Sequence, residues 1–278
     1  MKNIILVVKN DPRAVAAAED LRQWLQQRGL EVHVDRPLAV WSRGPVQPPD
    51  FGPVDLIVVL GGDGTLLYAA RTFGVTGVPL LGVNMGGLGF LTEVSLVNLR
   101  PALEQVLAGS YQAESRMTLS AEVIRDGEVI TSHTVLNDAV INKGALARIL
   151  DLTVKVDGAD LTTYRADGLI ISTPTGSTAY NLAAGGPIVH PTQELIILTP
   201  ICPFTLSNRP LILPRVAVIE IAIDPQASDV LLTSDGQVSC PLSPEDRITV
   251  RRSRNQIVLI KNPYKSYFEI LRTKLGWG

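Results

Sequence analysis

Cysteine and histidine are scarce in this 278-residue chain, which has two of the first and three of the second. Cys202 and Cys240 lack CxxC spacing and the histidines are scattered, so we expect neither a disulfide framework nor a zinc site, but a protein of the reducing cytoplasm. The apolar run at residues 4–8 is too short for a signal peptide, and no later run is long enough to span a bilayer. We therefore expect no membrane association.

A surplus of basic residues is also missing, since the formal net charge is −2 and charged residues make up 19% of the chain. Nucleic acid binding, which depends on many phosphate contacts, is therefore not expected. The chain has no GxxxxGK[ST] loop, no GxGxxG opening a helix in its first βαβ unit and no protein-kinase catalytic set. These absences exclude P-loop ATPases, ordinary dinucleotide-binding domains and protein kinases.

Hydrophobic residues, at 46%, are sufficient for a sizeable core, and the first hundred residues alternate between strand and helix patterns. We predict strands at 4–8, 32–34, 54–60 and 78–83, one helix from Asp11-Pro12 to Gly29 and another over about 65–73. The stretch 36–53 is rich in proline and is predicted to be a loop. This alternation indicates a Rossmann-like parallel α/β domain.

From about Tyr111 onward, β-rich segments are separated by tight-turn sequences, namely Asp126-Gly127, Asp157-Gly158 and Asp235-Gly236. One helix is predicted near 176–184 and another at 267–275. We therefore predict two domains. An N-terminal α/β domain covers 1–112, with the tail 257–278 packing back on it, and a mostly antiparallel β domain covers 113–256.

The run Gly61-Gly62-Asp63-Gly64-Thr65 directly follows the predicted strand 54–60. Glycines let backbone N–H groups approach a phosphate, the following helix start adds partial positive charge, and Thr65 can cap that helix. A capped turn without chemistry would explain a bare GDG tripeptide, but the full run after a buried strand favours a phosphate site beside an acid. Three phosphotransferase groups share such a run: NAD kinases, lipid kinases of the diacylglycerol type and phosphofructokinases.

A second motif separates these three groups. Residues 167–180 read DGLIISTPTGSTAY and are followed by AAGGPI at 183–188. Further matching segments are Leu136-Asn137-Asp138, the glycine-rich stretch 82–91, and the stretches 207–211 and 273–277. With these motifs in the same order, nearly the whole chain apart from the proline-rich loop resembles the NAD kinase family.

The resemblance implies the NAD kinase/diacylglycerol kinase-like fold and phosphoryl transfer from ATP or polyphosphate to the 2′-hydroxyl of the adenosine ribose of NAD. It implies that Asp63 is the general base and that Gly61, Gly62, Gly64 and Thr65 form the loop for the phosphate donor. The residues it implies for NAD binding are Asp63, Gly64, Asn137, Asp138, Arg148, Arg165, Asp167, Thr178, Ala179, Tyr180, Asn181, Leu182, Ala183 and Gln237. It also implies Mg²⁺ or another divalent metal that arrives with ATP, no tightly bound metal site in the protein, and a homodimer or homotetramer.

Three positions depart from the family pattern. Asn137-Asp138 stands where the family usually has Asn-Glu, so the carboxylate reaches one methylene less far. Ala183 replaces a serine, which removes a hydroxyl contact, and Phe204 replaces the histidine of many members, so no histidine role is expected there. Side-chain chemistry agrees with the NAD-binding roles that the resemblance implies. Asn137 offers a donor and an acceptor to an adenine edge, and Asp138 and Asp167 offer acceptors to ribose hydroxyls or a carboxamide.

Two alternatives remain open. A lipid or other small-molecule kinase would share the Gly61–Thr65 run but would leave Thr173–Ser177 and Asn137 unexplained. A dehydrogenase or a non-catalytic NAD(P) sensor would explain dinucleotide-binding residues but not Asp63, and the missing GxGxxG disfavours a dehydrogenase. The sequence does not distinguish among ATP, another nucleotide and polyphosphate as donor, nor between NAD and NADH as acceptor.

Overall fold

The computed structural model describes residues 1–37, 51–144, 149–205 and 207–277. Most of the predicted proline-rich loop and the predicted site residue Arg148 lie outside these ranges. None of the described helices has the length and apolar character needed to cross a membrane. Contacts divide the chain into two compact units: the first contains the described residues up to Ser115 and those from Gln256 onward, and the second contains those from Arg116 to Asn255. The domain bounds 1–112 with 257–278, and 113–256, stay a prediction.

The first unit is built on a parallel sheet. Its strands are β1 (Asn3–Val8), β2 (Glu31–Asp35), β3 (Leu56–Gly61), β4 (Leu80–Asn84) and β5 (Val94–Ser95), and its helices are α1 (Pro12–Gln26), α2 (Asp63–Thr72), α3 (Leu99–Leu107) and a C-terminal helix at Tyr267–Leu275. The strand order is β4-β3-β1-β2, with β5 beside β4. The predicted parallel α/β fold is confirmed.

Local sequence explains these elements. Every residue of β3 is buried, as its continuous apolar run predicted. Helix α1 begins where the Asp11 side chain accepts the N–H groups of Arg13 and Ala14 at 3.0 and 3.4 Å, and Pro12 occupies its first turn. Helix α3 was not predicted, although its buried residues Leu99, Ala102, Leu103 and Val106 have the helical spacing i, i+3, i+4, i+7.

The order of the parallel strands reverses between β1 and β3. From β1 the chain moves to β2 on one side, and it then returns to β3 on the other. Val8 lies opposite Leu60 at the carboxyl ends of these two strands. Open α/β sheets bind ligands outside the carboxyl ends of the strands at such a reversal. The Gly61–Thr65 run therefore starts at the favoured edge of the sheet.

The second unit consists mainly of antiparallel strands in two sheets. One sheet contains β9 (Leu150–Val156), β10 (Ala159–Ala166), β14 (Ile219–Ile223) and β17 (Arg247–Ile260), together with the hairpin of β6 (Ala113–Arg125) and β7 (Glu128–Val135). The other contains β8 (Asp138–Lys143), β11 (Gly168–Ser172), β12 (Leu195–Ile201), β13 (Leu211–Pro214), β15 (Val230–Ser234) and β16 (Val238–Leu242). One hydrophobic cluster combines side chains of both sheets, including Ile221 from the first and Ile171 from the second. The predicted antiparallel β domain is confirmed.

The three predicted tight turns are also confirmed. Asp126, Asp157 and Asp235 have φ of 52°, 52° and 50°, and a glycine with positive φ follows each of them. The helix predicted near 176–184 is shorter than expected: a 3₁₀ turn at Thr175–Thr178 is followed by one α-helical turn, α4 (Tyr180–Ala183). The interruption falls at Ala179, whose φ of −97° and ψ of −130° are not helical. The C-terminal helix, α5 (Tyr267–Leu275), has the predicted bounds.

Candidate active site

Asp63 is the first residue of α2, and its carboxylate is bound by the loop that follows β4. Oδ1 accepts hydrogen bonds from the N–H of Leu91 at 3.1 Å, the N–H of Thr92 at 3.0 Å and the hydroxyl of Thr92 at 3.0 Å. Within the described part of the chain, Oδ2 accepts one hydrogen bond, from the N–H of Phe90 at 2.8 Å. A carboxylate oxygen has two lone pairs, so Oδ1 is saturated by these donors while Oδ2 keeps acceptor capacity.

Glycine at position 89 is required for this arrangement. A Cβ on Gly89 would overlap Oδ1 of Asp63 and the hydroxyl of Thr92. By contrast, a Cβ on Gly87 in the same loop would meet no atom within 4 Å. The glycine-rich stretch 82–91 therefore includes one glycine that allows the loop to close on Asp63.

Asn84 orders the same loop from the end of β4. Its Oδ1 accepts the N–H of Gly86 at 2.6 Å, and its Nδ2 donates to the carbonyl of Gly87 at 2.5 Å and to the hydroxyl of Thr92 at 3.1 Å. Sequence reasoning did not assign a role to Asn84 or Thr92. The pattern that could have identified Asn84 is an asparagine at the end of a predicted strand before glycines, since such side chains commonly bond to the backbone two residues ahead.

Gly61, Gly62 and Gly64 lie at the start of α2, and Gly62 is its N-cap residue. The prediction that Thr65 caps the helix is wrong. The helix begins at Asp63, so Thr65 lies inside the first turn, where its buried side chain packs so closely over Gly61 that a Cβ there would overlap it. The first N–H groups of this helix still favour a negative charge nearby.

Lys9 follows β1 and lies next to the glycine run. Its backbone N–H donates to the carbonyl of Leu60 at 2.9 Å, which places it beside the end of β3. The residue is exposed, and within the described ranges its ammonium group forms no ion pair. Sequence reasoning missed Lys9 because its proximity to Gly61 arises only when β1 and β3 pair.

In the second unit, Asp235 fixes the backbone of the Leu136-Asn137-Asp138 segment. Its carboxylate accepts the N–H groups of Leu136, Asn137 and Asp138 at 3.0, 2.7 and 3.2 Å. Its own N–H donates to the carbonyl of Asp138 at 2.8 Å. Asp235 is 6% exposed, so these bonds are shielded from water. The sequence indicated only a turn at Asp235.

The Thr173–Ser177 turn packs against the same segment. The carbonyl of Asn137 accepts the N–H of Thr173 at 2.8 Å, and a Cβ on Gly176 would overlap the Asn137 backbone. Oδ1 of Asn137 and the hydroxyl of Thr175 are buried and have no hydrogen-bond partner among the described residues. Buried polar atoms without a partner are rare because each loses its hydration. These two atoms are therefore candidate ligand contacts.

The Asp138 carboxyl group is 4% exposed. Burial, with a further contribution from the charge of Asp235, raises the pKa of Asp138 to about 8. The carboxyl group that sequence reasoning treated as an acceptor is therefore mostly protonated at neutral pH.

The predicted segment Thr178–Ala183 includes exposed and buried members. Tyr180 is 44% exposed, whereas Asn181 is fully buried. The amide of Asn181 donates to the carbonyls of Ser177 and Pro187, both at 3.0 Å, and accepts the hydroxyl of Thr199 at 2.7 Å. Asn181 therefore holds the turn together, while Thr178, Ala179, Leu182 and Ala183 remain at least partly accessible.

Three further predicted residues have protein partners. Asp167 pairs with Lys143 at 2.7 Å, and Arg165 lies 4.0 Å from Asp151 with its guanidinium over the ring of Phe204. Gln237 is 5% exposed and follows the Asp235-Gly236 turn. Arg165 and Asp167 are close in sequence at the junction of β10 and β11. Gln237 lies two residues after Asp235, in the turn between β15 and β16.

A divalent metal requires several oxygen ligands. In the described ranges, no group of three or more His, Cys, Asp or Glu side chains could hold such an ion. A divalent ion that arrives with ATP, as the family resemblance implies, would be held mainly by the nucleotide and by water.

Comparison with known proteins places both regions in described families. The ATP-NAD kinase N-terminal domain matches residues 49–111, and the ATP-NAD kinase C-terminal domain matches residues 136–262. The chain is 51% identical to an NAD kinase of Syntrophobacter fumaroxidans and 52% identical to an NAD kinase of Geobacter sulfurreducens. Each alignment covers 100% of this chain and 99% of the relative.

Two solved structures are similar over almost the whole chain. Yeast NADH kinase complexed with NADH has a TM-score of 0.84 and 29% identity, covering 100% of this chain and 88% of the other. An NAD kinase from Archaeoglobus fulgidus in complex with ATP has a TM-score of 0.77 and 26% identity, covering 99% and 97%.

Proposed function

The chain belongs to the NAD kinase family and has NAD kinase activity, and from this premise we propose how its residues carry out the reaction. The terminal phosphoryl group of ATP is transferred to the 2′-hydroxyl of the adenosine ribose of NAD, giving NADP. Phosphoryl transfer needs alignment of donor and acceptor, neutralisation of phosphate charge and removal of the acceptor proton.

Asp63 is the general base, and Oδ2 is the oxygen that takes the proton. The observation that carries this assignment is the unequal use of the two oxygens: three donors bind Oδ1 and one binds Oδ2. The saturated oxygen anchors the side chain, and the other can accept a hydrogen bond from a ribose hydroxyl. Asn84 and Thr92 act as positioning residues, because they hold the loop that fixes Asp63.

The donor phosphates bind where β1 and β3 end. Gly61, Gly62, Gly64 and Thr65 form the donor loop at the start of α2, where the first N–H groups of the helix favour a phosphate, and Lys9 adds a positive charge beside them. Mg²⁺ or a similar ion bound with the nucleotide would supply positive charge to the phosphates. The ATP in the archaeal structure supports a nucleotide donor. Polyphosphate is a second donor that the same N–H groups and Lys9 could bind.

NAD is bound by the Asn137-Asp138 segment and the Thr178–Ala183 segment, with contributions from Arg148, Arg165, Asp167 and Gln237. Oδ1 of Asn137 supplies an unused acceptor for an adenine amino group. Asp235 keeps the segment in position through three N–H bonds. The NADH in the yeast structure supports a dinucleotide ligand. Assembly as a homodimer or homotetramer and a cytoplasmic location are carried over from the family resemblance.

The test is to incubate the purified protein with NAD, Mg²⁺ and a panel of donors, and to measure NADP with an NADP-specific dehydrogenase. ATP should give NADP, and the same panel ranks other nucleotides and polyphosphate. NADH in place of NAD compares the two acceptors. The absence of NADP with every donor would contradict the assignment. Light scattering on a size-exclusion column measures the number of subunits.

A further inference from the structure

Two buried carboxyl groups lie together at the junction of β8 and β15. Asp138 opens β8 and Asp235 follows β15, and they are 4% and 6% exposed. Two hydrogen bonds join these residues: the N–H of Asp235 donates to the carbonyl of Asp138 at 2.8 Å, and the N–H of Asp138 donates to the Asp235 carboxylate at 3.2 Å. Two negative charges this close and this buried would repel each other strongly.

The surroundings of the two carboxyl groups are unequal. Asp235 accepts three backbone N–H groups, which stabilise its negative charge. The Asp138 carboxyl group forms no hydrogen bond or ion pair with any described residue. The proton of the pair therefore belongs on Asp138, in agreement with its pKa of about 8.

Two strands next to β8 bring polar side chains near this pair. Ser172 on β11 lies opposite Asp138, but its hydroxyl donates to the carbonyls of Asn137 and Thr173 at 3.2 and 3.0 Å. Ser234, at the end of β15, lies 3.0 Å from Nδ1 of the buried His133 on β7. Among the described residues, Asp235 is the charged group that acts on Asp138, and His133 is the titratable group next to Ser234.

We propose that Asp138 binds the dinucleotide as a neutral carboxyl group that donates its O–H to the nucleotide, and that Asp235 is the positioning residue that keeps it neutral. This inference rests on the proposed role of the Asn137-Asp138 segment in NAD binding. A bound adenosine excludes the remaining water from Asp138, which disfavours its charged form further. The O–H of a neutral carboxyl group in such a place requires an acceptor, and adenine ring nitrogens and ribose oxygens are acceptors.

The first test measures the KM for NAD of the wild-type enzyme between pH 6.5 and 9.5 at saturating ATP and Mg²⁺. If only the protonated form binds, KM is constant below pH 8 and rises about tenfold per unit above it, reaching about thirtyfold at pH 9.5. A KM that stays constant or falls over this range would overturn the proposal. Circular dichroism at each pH verifies that the protein remains folded.

Two substitutions separate hydrogen-bond donation from charge. Asp138→Asn keeps a donor that does not titrate, so its KM should show no alkaline rise and should be at least tenfold below that of Asp138→Ala at pH 7. Equal KM values for the two variants would contradict donation. Asp235→Asn removes the neighbouring charge, so the alkaline rise of KM should begin at a lower pH.

Two controls complete the design. His133→Gln removes the other titratable group and should leave the alkaline rise unchanged; loss of the rise in this variant would assign it to His133 and overturn the proposal. Asp63→Asn addresses the proposed base through kcat. If Asp63→Asn has a normal kcat while KM rises with pH as predicted, Asp63 is not the base and the Asp138 proposal stands. If Asp63→Asn has a low kcat while the KM of the wild type does not rise, Asp63 remains the proposed base and the Asp138 proposal is rejected.

Discussion

The side chain of Thr92 donates a hydrogen bond of 3.0 Å to Oδ1 of Asp63, and the backbone N–H of the same residue donates to the same oxygen, also at 3.0 Å. Thr92 is fully buried and is held in turn by Nδ2 of Asn84 at 3.1 Å. The proposed base is thus oriented by a residue 29 positions away in the sequence, and burial keeps the side chain of that residue in place.

Asp63→Asn should lower kcat by about 10² to 10⁴, the usual contribution of general-base catalysis, and leave the KM for NAD close to normal. The amide has nearly the same shape but cannot take the proton. Steady-state kinetics measure both constants. Asp20→Asn, an exposed aspartate on α1 that pairs with Arg100, is the matched control and should behave as wild type. Near-normal kcat in a folded Asp63→Asn protein would exclude the base assignment.

Thr92→Val should lower kcat by about two- to tenfold, because a hydrogen bond of this kind contributes about 0.5–1.5 kcal/mol. The N–H bond from residue 92 remains, so the loss is much smaller than for Asp63→Asn. Thr92→Ser keeps the hydroxyl and should recover most of the activity. If Val and Ser variants have the same kcat, the hydroxyl does not orient Asp63.

Gly89→Ala should reduce kcat at least as much as Thr92→Val, since the added Cβ would displace the loop from Asp63. Gly87→Ala in the same loop is the matched control: its Cβ would meet no atom within 4 Å, so activity and thermal stability should be almost unchanged. Comparing kcat and Tm for the two variants tests whether the close packing of Gly89 against Asp63 is needed for activity. Equal activities would show that the loop adapts without affecting the site.

Much of this framework follows from local sequence, because the forces that form it are local. The continuous apolar run of β3 and the Asp11-Pro12 start of α1 each determine their element through neighbouring residues. The tight turn at Asp235 was predicted for the same reason, since Asp-Gly readily adopts positive φ. Motif order then predicted which segments bind the substrates.

Long-range contacts could not be predicted in this way. Asp235 binds an N–H group 97 residues away and Asp63 binds Thr92 from 29 residues away, and neither pairing leaves a periodic pattern in the sequence. The helix start was misplaced at Thr65 because a glycine N-cap carries no side chain that would mark it. The protonation of Asp138 depends on burial, which residue type alone does not determine.

Lys9→Ala should raise the KM for ATP about tenfold or more, since a hydrogen bond from a charged donor contributes about 1.5–3 kcal/mol. The KM for NAD should change much less. Lys2→Ala is the matched control, because Lys2 precedes the amino end of β1, at the opposite edge of the sheet. An unchanged KM for ATP in Lys9→Ala would exclude Lys9 from the donor site.

Asp138→Asn should stabilise the protein at neutral pH relative to wild type. The pKa of Asp138 is raised from 3.8 to about 8 by folding, so between these values the folded state binds a proton that the unfolded state releases. The free energy of unfolding contributed by Asp138 therefore falls as the pH rises through this window, and it changes no further above pH 8.

The amide does not titrate, so the advantage of Asp138→Asn over wild type should be small at pH 4.5 and grow toward pH 8, to about 1–3 kcal/mol, the range for a poorly solvated buried polar group. Urea unfolding at several pH values measures it. Asp160→Asn, an exposed aspartate in the same unit paired with Lys155, should show no such growth. An advantage that stays constant or shrinks as the pH rises would mean that folding does not raise the pKa of Asp138, and it would remove the physical basis for a neutral carboxyl group in the site.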